Sequence, residues 1–188
     1  MAESKFKNEP LTDYSKRANR KAMEAALAKV RARLGKEYPL VIGKEEFITT
    51  DKLRSMNPSD PAQVVGVFQK ADAALAVKAV ETADAAFQAW QYVDPKKRAD
   101  YLFKAAKIMR KRKHEFSAVM VFEVGKTWPE ADADTAEAID FLEYYAREMH
   151  RLAGPQPVVK VANEKNELRY IPLGVGVVVP PWNFALAI

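Results

Sequence analysis

The run Gly174-Val175-Gly176-Val177-Val178-Val179 constrains this chain more than any other feature, because its apolar residues are continuous rather than alternating. Alternation marks a strand with one wet face, whereas an unbroken apolar run asks for cover on both faces, as helices give to a parallel sheet. The expectation is an α/β fold. Ile188 follows only nine residues after Val179, with no crossover helix and no second parallel strand. The sheet begun here is therefore expected to be incomplete, and the chain reads as the amino-terminal part of a larger protein.

Upstream of that run, helical patterns predominate. Met23, Ala26, Leu27, Val30 and Leu34 recur at helical spacing over 15–34, and Gly35 follows as a stop. Short branched runs then predict strands at Leu40-Val41-Ile42, Phe47-Ile48-Thr49 and Val64-Val65-Gly66-Val67-Phe68, with turns at Gly43 and over 57–61. A helix over 72–90 carries the stripe Ala73, Val77, Val80, Ala83, Phe87 and Trp90. Asp94-Pro95 opens the next helix, expected to run to about Phe116 and to share one packed layer with its predecessor. Thr127 and Glu130 stand at capping-box spacing, with Asp132 and Asp134 early, Arg147 and Arg151 late, and Gly154 as the stop. Beyond Pro155 and Pro157, strands are expected over 158–161, 168–171 and 174–179.

Composition narrows the chemistry. Cysteine is absent from the 188 residues, which excludes disulfides, cysteine-ligated metal sites and any thiolate nucleophile supplied by this chain. Thirty Lys and Arg against 25 Asp and Glu leave a net charge of +5, too small an excess to imply a polyanionic partner. Lys104, Lys107 and Lys111 line one helix face beside Arg110, Arg112 and Lys113, but no stacking aromatics interleave with them, so a solvated surface is expected and not a nucleic-acid site. His114 and His150 lack paired ligand spacing, and no metal site is expected. Residues 1–20 hold no apolar core of a secretory signal, and the nearly apolar stretch 171–182 falls short of the roughly 20 residues of a membrane helix. A cytoplasmic protein without membrane contact is the expectation. Gly174 and Gly176 lack the third glycine of a nucleotide fingerprint, and close packing within a crowded strand is the reading for them.

The segment Pro172-Leu173-Gly174-Val175-Gly176-Val177-Val178-Val179-Pro180-Pro181-Trp182-Asn183-Phe184 resembles the first nucleotide-domain strand and the Pro-Trp-Asn-Phe turn of the aldehyde dehydrogenase superfamily. The superfamily pattern recurs in order upstream, as Asn57-Pro58, Val64-Val65-Gly66, Ala86-Phe87-Gln88-Ala89-Trp90, residues 98–102, Glu123-Val124-Gly125-Lys126 and Glu130-Ala131. Within the superfamily, the stretches 6–13, 37–43 and 137–147 are similar to the bacterial L-glutamate-γ-semialdehyde dehydrogenases, also called Δ1-pyrroline-5-carboxylate dehydrogenases.

The resemblance implies the amino-terminal part of an aldehyde-dehydrogenase-like fold, a helical layer on incomplete sheets. It divides the chain into a helical extension (1–37), the front section of the cofactor domain (38–154), strands of an oligomerisation arm (155–172) and a truncated first strand and turn of the dinucleotide-binding sheet (173–188). It also implies an activity: a small aldehyde is attacked by a cysteine thiolate, hydride passes to NAD, and a glutamate-activated water hydrolyses the thioester, here in proline breakdown and in a homo-oligomer. In the family the cysteine, that glutamate, the glycine-rich loop and the cofactor lysine all lie beyond the point matching Ile188, so the 188-residue chain alone is expected to be inactive.

Five residues carry the implied site. Asn183 corresponds to the amide that donates to the oxyanion, a task suited to a neutral donor because it costs little to desolvate and strengthens as charge develops. Pro181 and Trp182 would meet the cofactor through the main chain, Phe184 would line the aldehyde passage, and Glu137 would hold the substrate. Each has a plainer alternative: Asn183 satisfying backbone groups in a turn, Pro181 and Trp182 forming an apolar plug, Phe184 in a core, and Glu137 as a partly exposed helix carboxylate beside Phe141 and Tyr144. Ala185 stands where the family usually carries proline, which loosens the turn. Two further functions remain open, a non-catalytic relative acting as a binding or assembly module and a basic helical interaction protein. Exposure of the apolar strand and the tail 184–188 would in any case drive self-association.

Overall fold

The computed structural model describes residues 5–188, so the first four residues of the expected extension over 1–37, and with them part of the stretch read for a secretory signal, lie outside the described residues. In chain order the elements are α1 (Arg17–Arg31), β1 (Glu37–Tyr38), β2 (Leu40–Ile42), β3 (Glu45–Phe47), β4 (Lys52–Asn57), β5 (Asp60–Gln69), α2 (Ala73–Trp90), α3 (Pro95–Lys111), α4 (Lys113–Val124) and α5 (Trp128–Ala153). Helices and two small sheets together make the α/β, incompletely sheeted arrangement expected from the sequence.

Helix α5 is the spine. Its start is local chemistry: the Glu130 carboxylate accepts both the Thr127 amide (3.1 Å) and the Thr127 hydroxyl (2.8 Å), which closes the capping box. Its inner face is built mostly from small residues, with Ala131, Ala136, Ala138 and Ala146 buried alongside the larger Ile139, so that α3 and α4 can approach closely. Ser117 of α4 sits at this seam, within 3.0 Å of the Thr135 hydroxyl, and donates back to the Lys113 carbonyl at 3.0 Å. On the other side of α4, Met23 and Val30 of α1 join Ala118 and Phe122 in the central apolar cluster, walled by Tyr14, Leu27, Val65 and Trp128. Removing the buried thioether of Met23 would cost about 2–5 kcal/mol.

The amino-terminal segment is strapped across α5 by two of its carboxylates. Asp132, 1% exposed, accepts the Thr12 amide (2.7 Å) and hydroxyl (2.6 Å) while pairing with Lys113 at 3.0 Å. Two turns later Asp140 accepts the Glu9 amide at 2.7 Å, and Phe6 meets Tyr144 edge-on. Burial and, secondarily, the Asp132 charge push the Tyr14 phenol up to about 12, while burial pushes His114 down.

Several expectations need correction. The helix expected to run from 94 to 116 is two helices, broken at Arg112 (φ −108, ψ 17). No Gly or Pro marks this break. Its cause is tertiary: the Glu115 carboxylate gathers Arg112, Lys29 and Arg33, and the change of direction lets α3 follow α5 while α4 fits between α1 and α5. Helix α1 stops at Arg31, and turns carry the chain from there to Gly35.

Helix α2 starts where expected, with Asp72 accepting the Leu75 amide at 2.8 Å, but it has no buried residue, and Val77 and Val80 are half exposed. It does not share a layer with α3, whose buried Ala99 and Ala106 are committed to the α5 side. Instead α2 rests on the β2–β3 hairpin, where Lys78 pairs with Glu45 at 2.7 Å and covers the Phe47 ring, and it touches α3 at the Trp90–Tyr101 ring pair.

The three-stranded sheet has the order β1-β5-β4, with β1 parallel and β4 antiparallel to β5, and β2 pairs with β3 antiparallel. Strand β4 is too polar to announce itself; β5 supplies its register. The strands expected over 158–161, 168–171 and 174–179 do not form. A strand is defined by its ladder of hydrogen bonds, and no neighbouring edge reaches this backbone among the described residues. Val177, Val178 and Val179 are 79%, 83% and 86% exposed. The close packing expected around Gly174 and Gly176 is likewise missing, since a Cβ at either would meet nothing within 4 Å; Gly174 is instead required by its φ of 104.

Candidate active site

Helix α4 ends at Gly125, whose left-handed φ of 67 turns the chain directly into the cap of α5. A Cβ there would lie 3.1 Å from Pro58 Cγ, so both backbone angle and space demand glycine. The turn leaves Lys126 beside the first turns of α5. On that helix Glu130, Asp134 and Glu137 fall at i, i+4 and i+7 and share one face, opposite to Asp132 and the amino-terminal strap.

After the extended stretch, the turn at Trp182-Asn183 brings the last residues back onto this face. The Ala187 amide donates to Asp134 Oδ1 at 2.8 Å, and the Lys126 ammonium, paired with Asp134 Oδ2, lies 5.9 Å from the centre of the Phe184 ring. The result is an open cavity of about 460 Å³ whose walls include Lys126, Glu130, Asp134, Glu137, Asn183 and Phe184.

Its electrostatics are uneven. Asp134, 4% exposed, is compensated by Lys126 and by a backbone amide. Glu130 is held below its ordinary value by the Thr127 hydroxyl and amide. Glu137 is half-buried and completes the carboxylate row. One neutral amide, one aromatic ring and a row of carboxylates thus face a common space, an arrangement able to hold a carbonyl oxygen at one end and a cationic group at the other.

Of the five residues expected at the site, the structure brings Glu137, Asn183 and Phe184 together on this cavity. Asn183 is exposed at the mouth of this open cavity. Phe184 is half-buried rather than core. Pro181 and Trp182 do not join the cavity: both are exposed, Trp182 at 90%. The described residues do not build a dinucleotide cradle, because the cavity wall is carboxylate-rich where a pyrophosphate needs donors and positive charge. Among the described residues no cluster of His, Asp or Glu is placed to hold a metal ion, and no helix is long and apolar enough to cross a membrane.

Sequence reasoning missed Lys126 and Asp134 as parts of the site. Asp134 reads as an acid complementing the α5 dipole, and the signal that could have found it is its spacing from Glu130 and Glu137 with a lysine just ahead of the cap.

The chain is 57% identical over 183 residues to a 1-pyrroline-5-carboxylate dehydrogenase of Geobacillus sp. (strain WCH70), a match covering 97% of this chain and 36% of that protein. It is similar to the solved 1-pyrroline-5-carboxylate dehydrogenase from Thermus with bound NAD, with a TM-score of 0.94 and 47% identity over 100% of this chain and 36% of that one. Proline utilization A from Bdellovibrio bacteriovorus matches with a TM-score of 0.91 and 38% identity, over 100% of this chain and 20% of that one. The chain thus spans 36% of the length of the curated relatives it matches, and corresponds to the amino-terminal part of their fold. The profile of the aldehyde dehydrogenase family matches residues 47–188, from β3 through the turn that carries Asn183 and Phe184, and the chain belongs to that family.

Proposed function

We propose that this chain forms the amino-terminal section of an NAD-dependent dehydrogenase that oxidises L-glutamate-γ-semialdehyde to L-glutamate in proline catabolism. The observation that carries the reading is the meeting of Asn183, Phe184 and Glu137 on one cavity, although Glu137 and Asn183 stand 46 positions apart. Asn183 donates its amide hydrogen to the aldehyde oxygen as that oxygen gains negative charge. Glu137 accepts from the substrate's α-ammonium, and Phe184 lies along the aldehyde chain and keeps water from it. The relatives' names and the NAD held by the Thermus structure support the substrate and the hydride acceptor.

No residue of this chain can supply the thiolate that forms the covalent intermediate, since it contains no cysteine. The isolated chain therefore does not turn over. In the whole enzyme, residues 155–172 would serve as the arm through which subunits associate in a cytoplasmic homo-oligomer, and Pro181 and Trp182 would approach the cofactor only once the rest of the fold is in place. The exposed Val177, Val178 and Val179 favour a second reading, an assembly module that adds an extended segment to another subunit's sheet.

NADH production from L-glutamate-γ-semialdehyde separates the two. The test compares the 188-residue chain with a chimera in which the remaining part of the Geobacillus relative follows Ile188. Turnover by the chimera alone supports the proposal; a folded chimera without turnover leaves the assembly module, and turnover by the short chain overturns the argument from the missing thiol.

A further inference from the structure

The turn that carries Asn183 has few anchors. In the 188-residue chain the backbone from 158 to 179 is exposed and in no strand, and its bonds are local ones, the Glu164 amide to the Val161 carbonyl at 3.2 Å and the Asn166 side chain to the Val159 carbonyl at 3.3 Å, so this stretch does not fix where the turn lies. Position must come from the α5 face on which the turn lands. There, Asp134 is the group on which the contacts converge: Oδ1 accepts the Ala187 amide at 2.8 Å, Oδ2 pairs with Lys126, and the lysine ammonium lies over the Phe184 ring.

Burial gives this arrangement its direction. A carboxylate that is 4% exposed is costly to leave uncompensated, and this one has two partners from different segments, a lysine before the α5 cap and a backbone amide beyond the turn. If the turn lifts away, Oδ1 loses its donor. The carboxylate therefore favours the docked turn, and docking puts Asn183 and Phe184 on the cavity that Glu137 also lines.

We infer that Asp134 is a positioning residue for the oxyanion amide: it clamps the Asn183 turn to α5 through the Ala187 amide and, by way of Lys126, through the Phe184 ring. The catalytic part of this inference rests on the function proposed above, whereas the clamp itself does not. Asp134 touches no substrate in this account. An amide misplaced by about 1 Å loses roughly 100-fold in rate even though every reacting group is still present.

Amide exchange at Ala187, read by NMR in the 188-residue chain, tests the clamp directly. Ala187 is expected to exchange at least about tenfold more slowly than an unstructured amide, and Asp134→Leu to abolish that protection while α4 and α5 amides keep theirs. Asp134→Asn retains an acceptor oxygen and should keep most of the protection. An unprotected Ala187 in the unaltered chain overturns the proposal even if the leucine variant fails to fold, and so does protection that survives in a folded Asp134→Leu.

In the chimera, Asp134→Leu should lower kcat about 10- to 100-fold with partial rescue by Asp134→Asn. Unchanged kcat on Asn183→Ala would remove the oxyanion reading, and with it the catalytic part of this inference, while the Ala187 exchange result would still decide the clamp.

Discussion

Replacing Glu115 by Gln should destabilise the fold at neutral pH and leave it nearly untouched near pH 2. Glu115 sits just after the break between α3 and α4, its side chain 10% exposed, with Arg33 at 2.7 Å, Arg112 at 2.8 Å and Lys29 at 3.0 Å. The guanidinium of Arg112, helped by Lys29 and Arg33 against the cost of burial, holds its carboxyl down from an ordinary 4.5 to about 2. Unscreened, that displacement corresponds to about 3 kcal/mol. The three cations are themselves 38% to 65% exposed, and solvent reduces the contribution to about 1–2 kcal/mol.

The sign follows from the lowered value. Below 4.5 the unfolded chain binds a proton that the folded chain refuses, so the contribution is whole above pH 4.5 and is lost as pH falls towards 2. Glu115→Gln keeps the shape, removes the charge and leaves three cations facing one another. Thermal unfolding at pH 7 should show Tm lower by about 3–6 °C, with the gap closing by pH 2. A gap of equal size at pH 7 and pH 2 would refute the electrostatic argument and leave packing as the cause.

Lys113→Met should leave Asp132 buried without its counter-charge, costing about 3–5 kcal/mol; a lower urea midpoint and faster protease cleavage over 8–12 would report release of the strap that Asp132 and Lys113 hold. Gly125→Ala should cost about 1–2 kcal/mol, because its φ is 67 and the added carbon would press on Pro58, and denaturant titration reads it directly.

What was legible in the sequence was what local chemistry decides. Asp94 and the Thr127–Glu130 box each cap the helix expected of them, because a cap needs only its own first turn. The break at Arg112 was not legible, since its cause is a carboxylate reached by Lys29 of α1 and by Arg33 in the turn after it. The run 174–179 was over-read for the opposite reason: apolar branched residues favour an extended backbone, but a strand also needs an edge to pair with. The stripe of α2 shows the same limit, as amphipathicity predicts a face and not the surface that covers it. At the site, Asn183, Phe184 and Glu137 could be singled out only through a family resemblance, and their meeting is a tertiary fact. Asp134 was not assigned to the site because an acid in the first turns of a helix already has a sufficient local explanation, and Lys126 was noted only as part of the superfamily pattern.

The most direct test of the account is kcat for L-glutamate-γ-semialdehyde oxidation by the chimera carrying Asn183→Ala. An amide that meets the oxygen only as it becomes negative predicts a fall of about 100- to 1,000-fold in kcat, with KM nearly unchanged. A kcat equal to that of the unaltered chimera would contradict the placement of the oxyanion site on this turn.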